Sequence, residues 1–164
     1  MENEGQENGL SKPRIIMESK VKEILACKGD TVHQVSPSNT VLEAINLMND
    51  RKIGALLVVE EGCPVGMFTE RDVLTRVVPP GLDAARTRVE EVMSKDLIVI
   101  RPDLSVNNAM RIVTEKKRRH LPVVEGGRLL GLISIGDLTR WMVREHENEV
   151  ETLLEYINGP QARG

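Results

Sequence analysis

The feature that most constrains the fold of this chain is an internal repeat. Residues 37–76 match, without a gap, a segment that lies sixty-five positions further along the chain. A register held over that length indicates a duplicated supersecondary unit. Two similar halves leave a crevice between them, and crevices of this kind are where ligands bind. The identical pairs are Pro37/Pro102, Val41/Val106, Ala44/Ala109, Lys52/Lys117, Val58/Val123, Val59/Val124, Glu60/Glu125, Gly62/Gly127, Gly66/Gly131 and Asp72/Asp137.

Length and composition predict one compact globular domain. The chain has 164 residues, 40% of them hydrophobic but only 2% aromatic, so its core must be built from Val, Ile, Leu, Met and Ala. The net charge of −3 leaves no basic footprint for a phosphate backbone, and there are almost no aromatic rings on which bases could stack. Nucleic acid is therefore an unexpected partner.

The sequence predicts neither a membrane segment nor a metal site. No run approaches the roughly 20 apolar residues of a membrane span. The polar, acidic N-terminus has no signal-peptide character, so we expect a cytoplasmic or organelle-matrix protein, with a trimmed mature form left open. Cys27 and Cys63 are too isolated for a disulfide framework. His33, His120 and His146 have no companions at metal-ligand spacing.

Each copy of the repeat predicts the element order β-α-β-β-α. Buried strands are expected from the continuous Val- and Leu-rich runs, and helices from hydroxyl caps followed by apolar faces. In the first copy the elements are an extended Val32–Val35, a helix from Thr40, strands over Ala55–Val59 and Val65–Phe68, and a helix from Thr69. In the second they are Leu97–Ile100, a helix from Ser105, strands over Leu121–Val124 and Leu129–Ile133, and a helix from Ser134.

Short helices over Val21–Leu25 and Val89–Met93 precede the two copies, and the last helix is expected to run from Gly136 to Asn158. Its apolar row of Val143, Val150, Leu153, Leu154 and Ile157 needs a cover, either from its own subunit or from a partner. The predicted divisions are a disordered tail over 1–19, a first repeat over 20–78, a linker over 79–87, a second repeat over 88–143, a helical extension over 144–158 and a tail over 159–164.

One motif occurs once in each copy, a glycine followed by a hydroxyl residue and then an aspartate at spacings of three. Helix capping alone could explain either occurrence, because the hydroxyl and the carboxylate satisfy free amide groups. Its recurrence in register, after buried strands, favours a ligand site. The two occurrences are Gly66-Met-Phe-Thr69-Glu-Arg-Asp72 and Gly131-Leu-Ile-Ser134-Ile-Gly-Asp137.

These motifs resemble the CBS domain, and from about Val21 to Val143 the chain is similar to a tandem CBS pair, a Bateman module. Pro37-x-x-Thr40, Pro102-x-x-Ser105 and the Arg-His-Leu-Pro-Val strand add to the resemblance. It is most similar to the small stand-alone CBS-pair proteins of plants (the CBSX type) and bacteria. The resemblance implies an α/β (α+β) fold, a duplicated β-α-β-β-α repeat with pseudo-two-fold symmetry and a long C-terminal helix.

The resemblance also implies an adenosine-containing ligand, such as AMP, ADP or ATP, with or without magnesium, and no covalent cofactor. In the family the aspartate accepts hydrogen bonds from ribose hydroxyls, and the hydroxyl residue lies against ribose or phosphate. That assignment suits Asp72 and Asp137, because a carboxylate can accept from two vicinal hydroxyl groups. Thr69 and Ser134 carry the hydroxyl role.

The two copies differ where phosphates are expected. Gly54 and Ala55 correspond to Arg119 and His120, a basic pair that suits phosphate oxygens, although a solvated strand end is the plainer alternative. Arg71 corresponds to Gly136. The predicted ligand-binding residues are Gly54, Ala55, Thr69, Arg71, Asp72, Arg119, His120, Pro122, Ser134, Gly136 and Asp137.

The leading functional hypothesis is a homodimeric regulatory sensor that binds an adenosine nucleotide and changes its affinity for a target protein. The alternative is an interaction scaffold, or a regulator of thioredoxin-type redox proteins, with weak or degenerate nucleotide sites. Catalysis is not expected. Inosine monophosphate dehydrogenase, which carries an inserted CBS pair, needs a barrel of roughly 200 residues or more.

Overall fold

The computed structural model describes residues 18–29 and 31–158, and its elements follow the repeat twice. Residues 1–17 of the tail predicted over 1–19, and the whole tail predicted over 159–164, lie outside the described residues. The strands are β1 (Gln34–Val35), β2 (Ala55–Glu60), β3 (Cys63–Thr69), β4 (His120–Glu125) and β5 (Arg128–Ser134). The helices are α1 (Val21–Lys28), α2 (Val41–Arg51), α3 (Glu70–Asp72), α4 (Val89–Val92), α5 (Val106–Lys116) and α6 (Ile135–Asn158), with a π-helical turn over Val73–Val77 after α3.

The two halves build nearly the same small sheet. In the first half β1 runs parallel to β2, which pairs antiparallel with β3. In the second half β4 and β5 pair in the same antiparallel way, and a register shift falls between Val123 and Val124 just as it does between Val58 and Val59. The predicted hairpin strands are therefore confirmed, with one or two residues added at their ends.

The first strand of each half is shorter than predicted. In the first half only Gln34 and Val35 pair with β2. In the second half the expected strand over Leu97–Ile100 reduces to a single parallel bridge between Ile100 and Val123. Leu97 instead packs against Ala55, Leu57 and Met67, between the two halves. Pro102, two residues beyond Ile100, has no backbone N–H to continue the ladder.

Hydroxyl caps begin the main helices, as predicted. Thr40 Oγ1 accepts from the Glu43 amide while the Glu43 side chain accepts from the Thr40 amide, a capping box at the start of α2. Helices α2 and α5 both end on a lysine in the left-handed conformation, Lys52 at φ 54° and Lys117 at φ 52°. Left-handed backbone is uncommon outside glycine.

The two opening helices are exchanged between the halves. Val21 and Ile24 of α1 are buried in the core of the second half, whereas Val89 and Val92 of α4 are buried in the core of the first. The backbone follows the same pattern, because the Val21 amide donates to the carbonyl of Leu104. Each half therefore completes its core with the helix that precedes the other repeat.

The two sheets meet face to face along a seam. Ala55, Leu57 and Met67 are buried there, and Leu129 and Leu132 of the second half pack against them. Helix α6 leaves this body and extends to Asn158, close to the predicted span. Within residues 18–29 and 31–158, no helix is both long and apolar enough to cross a membrane.

The exchanged helices make close contacts with one glycine in each half, and these contacts predict unequal tolerance to alanine. A Cβ on Gly66 would lie 2.6 Å from Met93 Sδ and 3.0 Å from the backbone oxygen of Ser94. A Cβ on Gly131 would lie 2.6 Å from Leu25 Cδ2, and the three nearest atoms there are all side-chain atoms of Leu25. Gly66→Ala should lower the free energy of unfolding by about 1–3 kcal/mol, and Gly131→Ala by less.

Urea unfolding of the two single variants beside the wild type measures the difference. The backbone at Ser94 cannot rotate away as the Leu25 side chain can, which is why the first half should suffer more. An equal loss in both variants, or a larger one for Gly131→Ala, would contradict this packing.

Candidate functional site

A cavity of about 520 Å³ opens where the two halves meet. That volume lies within the range typical of small-molecule sites. Its walls come from three places: the end of β3 with α3, the segment after α4, and the turn between α5 and β4. The lining residues are Gly54, Met67, Thr69, Glu70, Arg71, Asp72, Thr75, Arg76, Ser94, Asp96, Leu97, Ile98, Lys117, Arg118, Arg119 and His120.

The Asp72 carboxylate is buried at this cavity and held by its own cap. Its Oδ2 accepts from the Thr69 amide and from Thr69 Oγ1, both at 2.8 Å, and the Asp72 amide donates to Thr69 Oγ1 at 3.3 Å. Only 6% of the residue is exposed. The local capping motif thus fixes one carboxylate oxygen and leaves the other for longer contacts.

The other oxygen, Oδ1, has two looser neighbours. Ser94 Oγ lies 3.5 Å away and Arg76 Nε 3.6 Å away. Arg76 also donates through NH1 to the carbonyl oxygens of Val92 (3.0 Å) and Met93 (2.9 Å), at the end of α4. Asp72 is therefore linked to the exchanged helix through one guanidinium group.

The opposite wall of the cavity is cationic. The left-handed backbone at Lys117 ends α5 and turns the chain so that Lys117, Arg118 and Arg119 all line the opening. Arg118 forms an ion pair with Asp96. With Arg71 and Arg76, five cationic side chains face three acidic ones, so the cavity favours an anionic ligand.

Part of the lining is apolar and close to the backbone. Met67, Leu97 and Ile98 supply it. The Glu70 amide donates to the carbonyl oxygen of Gly54 at 3.0 Å, and a Cβ on Gly54 would come within 3.1 Å of Glu70 Oε2. The missing side chain at Gly54 therefore keeps this edge open for a flat group.

The equivalent carboxylate of the second half has different surroundings. Asp137 Oδ2 accepts from the Ser134 amide and Ser134 Oγ, both at 2.8 Å, as in the first half. In addition, Lys28 Nζ donates to the same oxygen at 2.6 Å, and Arg140 NH2 donates to Oδ1 at 2.7 Å. Burial opposes ionisation, but the hydrogen bonds from Lys28 and Ser134 outweigh it and lower the pKa of Asp137.

His120 is half-buried at the start of β4, between the cavity and Asp137. Burial of the ring lowers its pKa below the ordinary value of 6.5, and the positive charges of Lys28 and Arg119 act in the same direction against the opposing charge of Asp137. The imidazole is therefore held neutral near pH 7, with one ring nitrogen as donor and the other as acceptor.

The structure brings together six of the predicted site residues in one cavity: Gly54, Thr69, Arg71, Asp72, Arg119 and His120. The other five predicted residues, Ala55, Pro122, Ser134, Gly136 and Asp137, do not line it. Among the residues that the structure describes, no cluster of His, Cys, Asp and Glu could hold a metal ion.

Sequence reasoning missed several lining residues. Ser94, Asp96 and Ile98 reach the cavity only because α4 packs on the first half, a long-range contact without a local signal. Arg76 lies in the π-helical turn, and Lys117 and Arg118 follow the left-handed helix end. Lys28, which contacts Asp137 and does not line the cavity, was also missed because its position depends on the long-range packing of α1 on the second half.

The neutral state of His120 predicts a pH dependence of stability. Below its usual pKa the unfolded chain binds a proton that the folded chain resists, so the free energy of unfolding should fall as the pH drops below about 6.5. His120→Gln should flatten this part of the curve. Urea unfolding between pH 5 and 7 measures it, and NMR titration of the imidazole checks the cause. An imidazole pKa at or above 6.5 would contradict the assignment.

Comparison with known proteins supplies the family context of this site. The family model described as the CBS domain matches residues 21–79 and 89–144. The CBS domain-containing protein YhcV of Bacillus subtilis is 37% identical over 131 residues, which cover 80% of this chain and 89% of that protein. The mitochondrial CBS domain-containing protein CBSX3 of Arabidopsis thaliana is 36% identical over 126 residues, 74% of this chain but only 61% of the plant protein.

Solved structures agree with this likeness. A protein with CBS domains from Burkholderia ambifaria superposes with a TM-score of 0.73 at 40% identity, covering 77% of this chain and 95% of that one. A hexameric CBS-CP12 protein from bloom-forming cyanobacteria has a TM-score of 0.66 at 28% identity, with 90% of this chain and 88% of that one covered.

Proposed function

The chain belongs to the CBS-domain family, and from that premise we propose that it is a regulatory, non-catalytic module whose cavity beside Asp72 binds an adenosine nucleotide. Binding would change the affinity of the module for a target protein. The observation that carries the proposal is the buried Asp72 carboxylate, which shares one cavity with a cationic wall from the other half.

Each part of a nucleotide finds a suitable group in the cavity. Asp72 Oδ1 is an acceptor for the ribose hydroxyl groups, because its present neighbours lie at 3.5 Å or more. Arg71, Lys117 and Arg119 offer donors and positive charge to phosphate oxygens. The apolar edge near Gly54 fits the flat base.

The regulatory effect follows from the position of the cavity. Asp72 belongs to the first half and Arg119 to the second, so a ligand that binds both stabilises one arrangement of the halves. The target protein would bind that arrangement more tightly or less tightly than the other. Glu70 and Asp96 also line the cavity, so a magnesium ion could accompany ADP or ATP once Asp96 leaves its pairing with Arg118.

Isothermal titration with AMP, ADP and ATP tests the proposal, and Asp72→Asn is the sharpest variant. The amide keeps the shape and the acceptor for the Thr69 amide but removes the charge that ribose hydroxyls bind. A hydrogen bond to a charged group is worth about 1.5–3 kcal/mol, so affinity should fall roughly 10- to 150-fold. Undiminished binding to Asp72→Asn would overturn the assigned site, and no binding by the wild type would favour the scaffold alternative.

The same titrations test the phosphate contact with a matched pair of variants. Arg119→Ala should weaken AMP more than adenosine and reduce the loss of affinity at high salt. Arg128→Ala removes the same charge from the start of β5, outside the cavity lining, and should leave the affinity for both ligands unchanged.

We also propose that the chain forms a homodimer through the apolar row of α6, the residues Val143, Val150, Leu153, Leu154 and Ile157. All five side chains are between 51% and 75% exposed, so residues 18–29 and 31–158 of the same subunit do not cover them. Val143, Val150 and Leu154 line a shallow groove flanked by His146 and Glu147. The hexameric cyanobacterial neighbour, which matches 90% of this chain, supports assembly as the cover.

Sedimentation velocity tests the dimer with a double variant, Val150→Glu with Leu154→Glu. Two buried carboxylates would disrupt a self-complementary apolar contact, so the variant should sediment as a monomer. Val99→Glu places the same charge at a 47% exposed position outside the row and should stay dimeric. A wild type that remains monomeric at high concentration would refute the proposal.

The target protein and the compartment stay predictions from the sequence. The candidate target is a thioredoxin-type redox protein, which a pull-down with the ligand-loaded module would test, and the predicted compartment is the cytoplasm or an organelle matrix.

A further inference from the structure

The carboxylates of Asp72 and Asp137 have different neighbours because the helices that pack beside them, α4 and α1, end at different points. After α4 the chain leaves the helix at Met93, and Ser94 pairs with Met67 through two backbone hydrogen bonds of 2.9 Å. Helix α1 has eight residues instead of four and ends only at Gly29, which has a φ of 90°. Its last residue, Lys28, therefore lies over the second half where an extended segment lies over the first.

Lys28 fills the space beside the Asp137 carboxylate that a ligand would need in the second half. Its Nζ donates to Asp137 Oδ2 at 2.6 Å and to the carbonyl oxygen of Leu132 at 2.8 Å. The counterpart of Asp72 Oδ1, Asp137 Oδ1, is held at 2.7 Å by Arg140 NH2, and because 70% of the Arg140 side chain is exposed it can rotate away as a ligand binds.

In the first half the carbonyl of Met67, the repeat counterpart of Leu132, already accepts from the Ser94 amide. Within the described part of the chain, no lysine pairs with Asp72. One ammonium group thus fills the position that corresponds to the one proposed for the ribose in the first half.

We infer that Lys28 closes the second nucleotide site of this module, so that each chain binds one nucleotide, at Asp72. The inference rests on the proposed function, because it assumes that Asp72 and Asp137 mark equivalent positions. Lys28 is accordingly a residue that sets stoichiometry, and it acts by competing with ribose hydroxyl groups for Asp137.

The competition favours Lys28 for two physical reasons. The ammonium group carries a full positive charge, so its contact with the buried Asp137 carboxylate includes a Coulomb attraction that a neutral ribose hydroxyl group lacks. The lysine is also covalently tethered beside its acceptor, whereas a nucleotide must be recruited from solution. Because 34% of the Lys28 side chain is exposed, removing it would open the position to solvent.

Titration of the full chain with AMP tests the inference through its stoichiometry. The wild type should bind one AMP per chain. Lys28→Ala should bind a second AMP, and the double variant Lys28→Ala with Asp137→Asn should lose that second event while keeping the first. Lys28→Arg retains a tethered cation and should bind one AMP, and Lys22→Ala, which removes an exposed lysine from the same helix, should also bind one.

The outcomes separate this inference from the proposed function. One AMP per chain in both the wild type and a folded Lys28→Ala overturns the closure by Lys28 but leaves the Asp72 site intact. Two AMP per wild-type chain overturns it as well. Binding to Lys28→Ala alone, abolished by Asp137→Asn, upholds the closure and refutes the site at Asp72. Silence from both proteins at millimolar AMP overturns both proposals. Thermal unfolding of each variant confirms that it is folded.

Discussion

The exchange of the opening helices is the contact on which the rest of the structure depends. Neither half closes its core with its own preceding helix, because Val21 and Ile24 are buried in the second half and Val89 and Val92 in the first. The exchange also builds the site. Since α4 packs on the first half, the residues after it form one wall of the cavity, and since α1 packs on the second half, its end reaches Asp137.

The same capping motif therefore has different surroundings in the two halves of the chain. The hydroxyl and carboxylate of Thr69 and Asp72 form the same three hydrogen bonds as those of Ser134 and Asp137, within 0.1 Å. The difference arises outside the repeat, in the length of the helix that crosses each carboxylate. Because α4 ends early, Asp72 faces a cavity lined by Ser94. Because α1 ends later, its last residue, Lys28, contacts Asp137.

The parts of the fold that could be predicted from the sequence are those with a signal in nearby residues. The hydroxyl caps, the paired strands and the end of α6 are all visible as hydrogen-bonding residues and apolar runs near their own positions. The exchanged helices are not, because nothing in Val21 or Val89 distinguishes packing on one half from packing on the other. The left-handed turn at Lys117 is also hidden, since that conformation usually requires glycine and lysine gives no such signal. Most of the site residues that were missed depend on these two features.

Charge explains how a ligand in the cavity would act on the fold. Five cationic side chains converge there with three acidic ones, and without a counter-ion the cations of the two halves repel each other across the seam. Under the proposed function an anionic ligand would relieve that repulsion, and its ribose would compete with Arg76 for Asp72 Oδ1. Because Arg76 also holds the carbonyl groups of Val92 and Met93, a change at the carboxylate reaches the end of α4 directly. Under the proposed function, the contact that completes the first core is then the one that a bound ligand would perturb, and a partner that binds this region would sense the change.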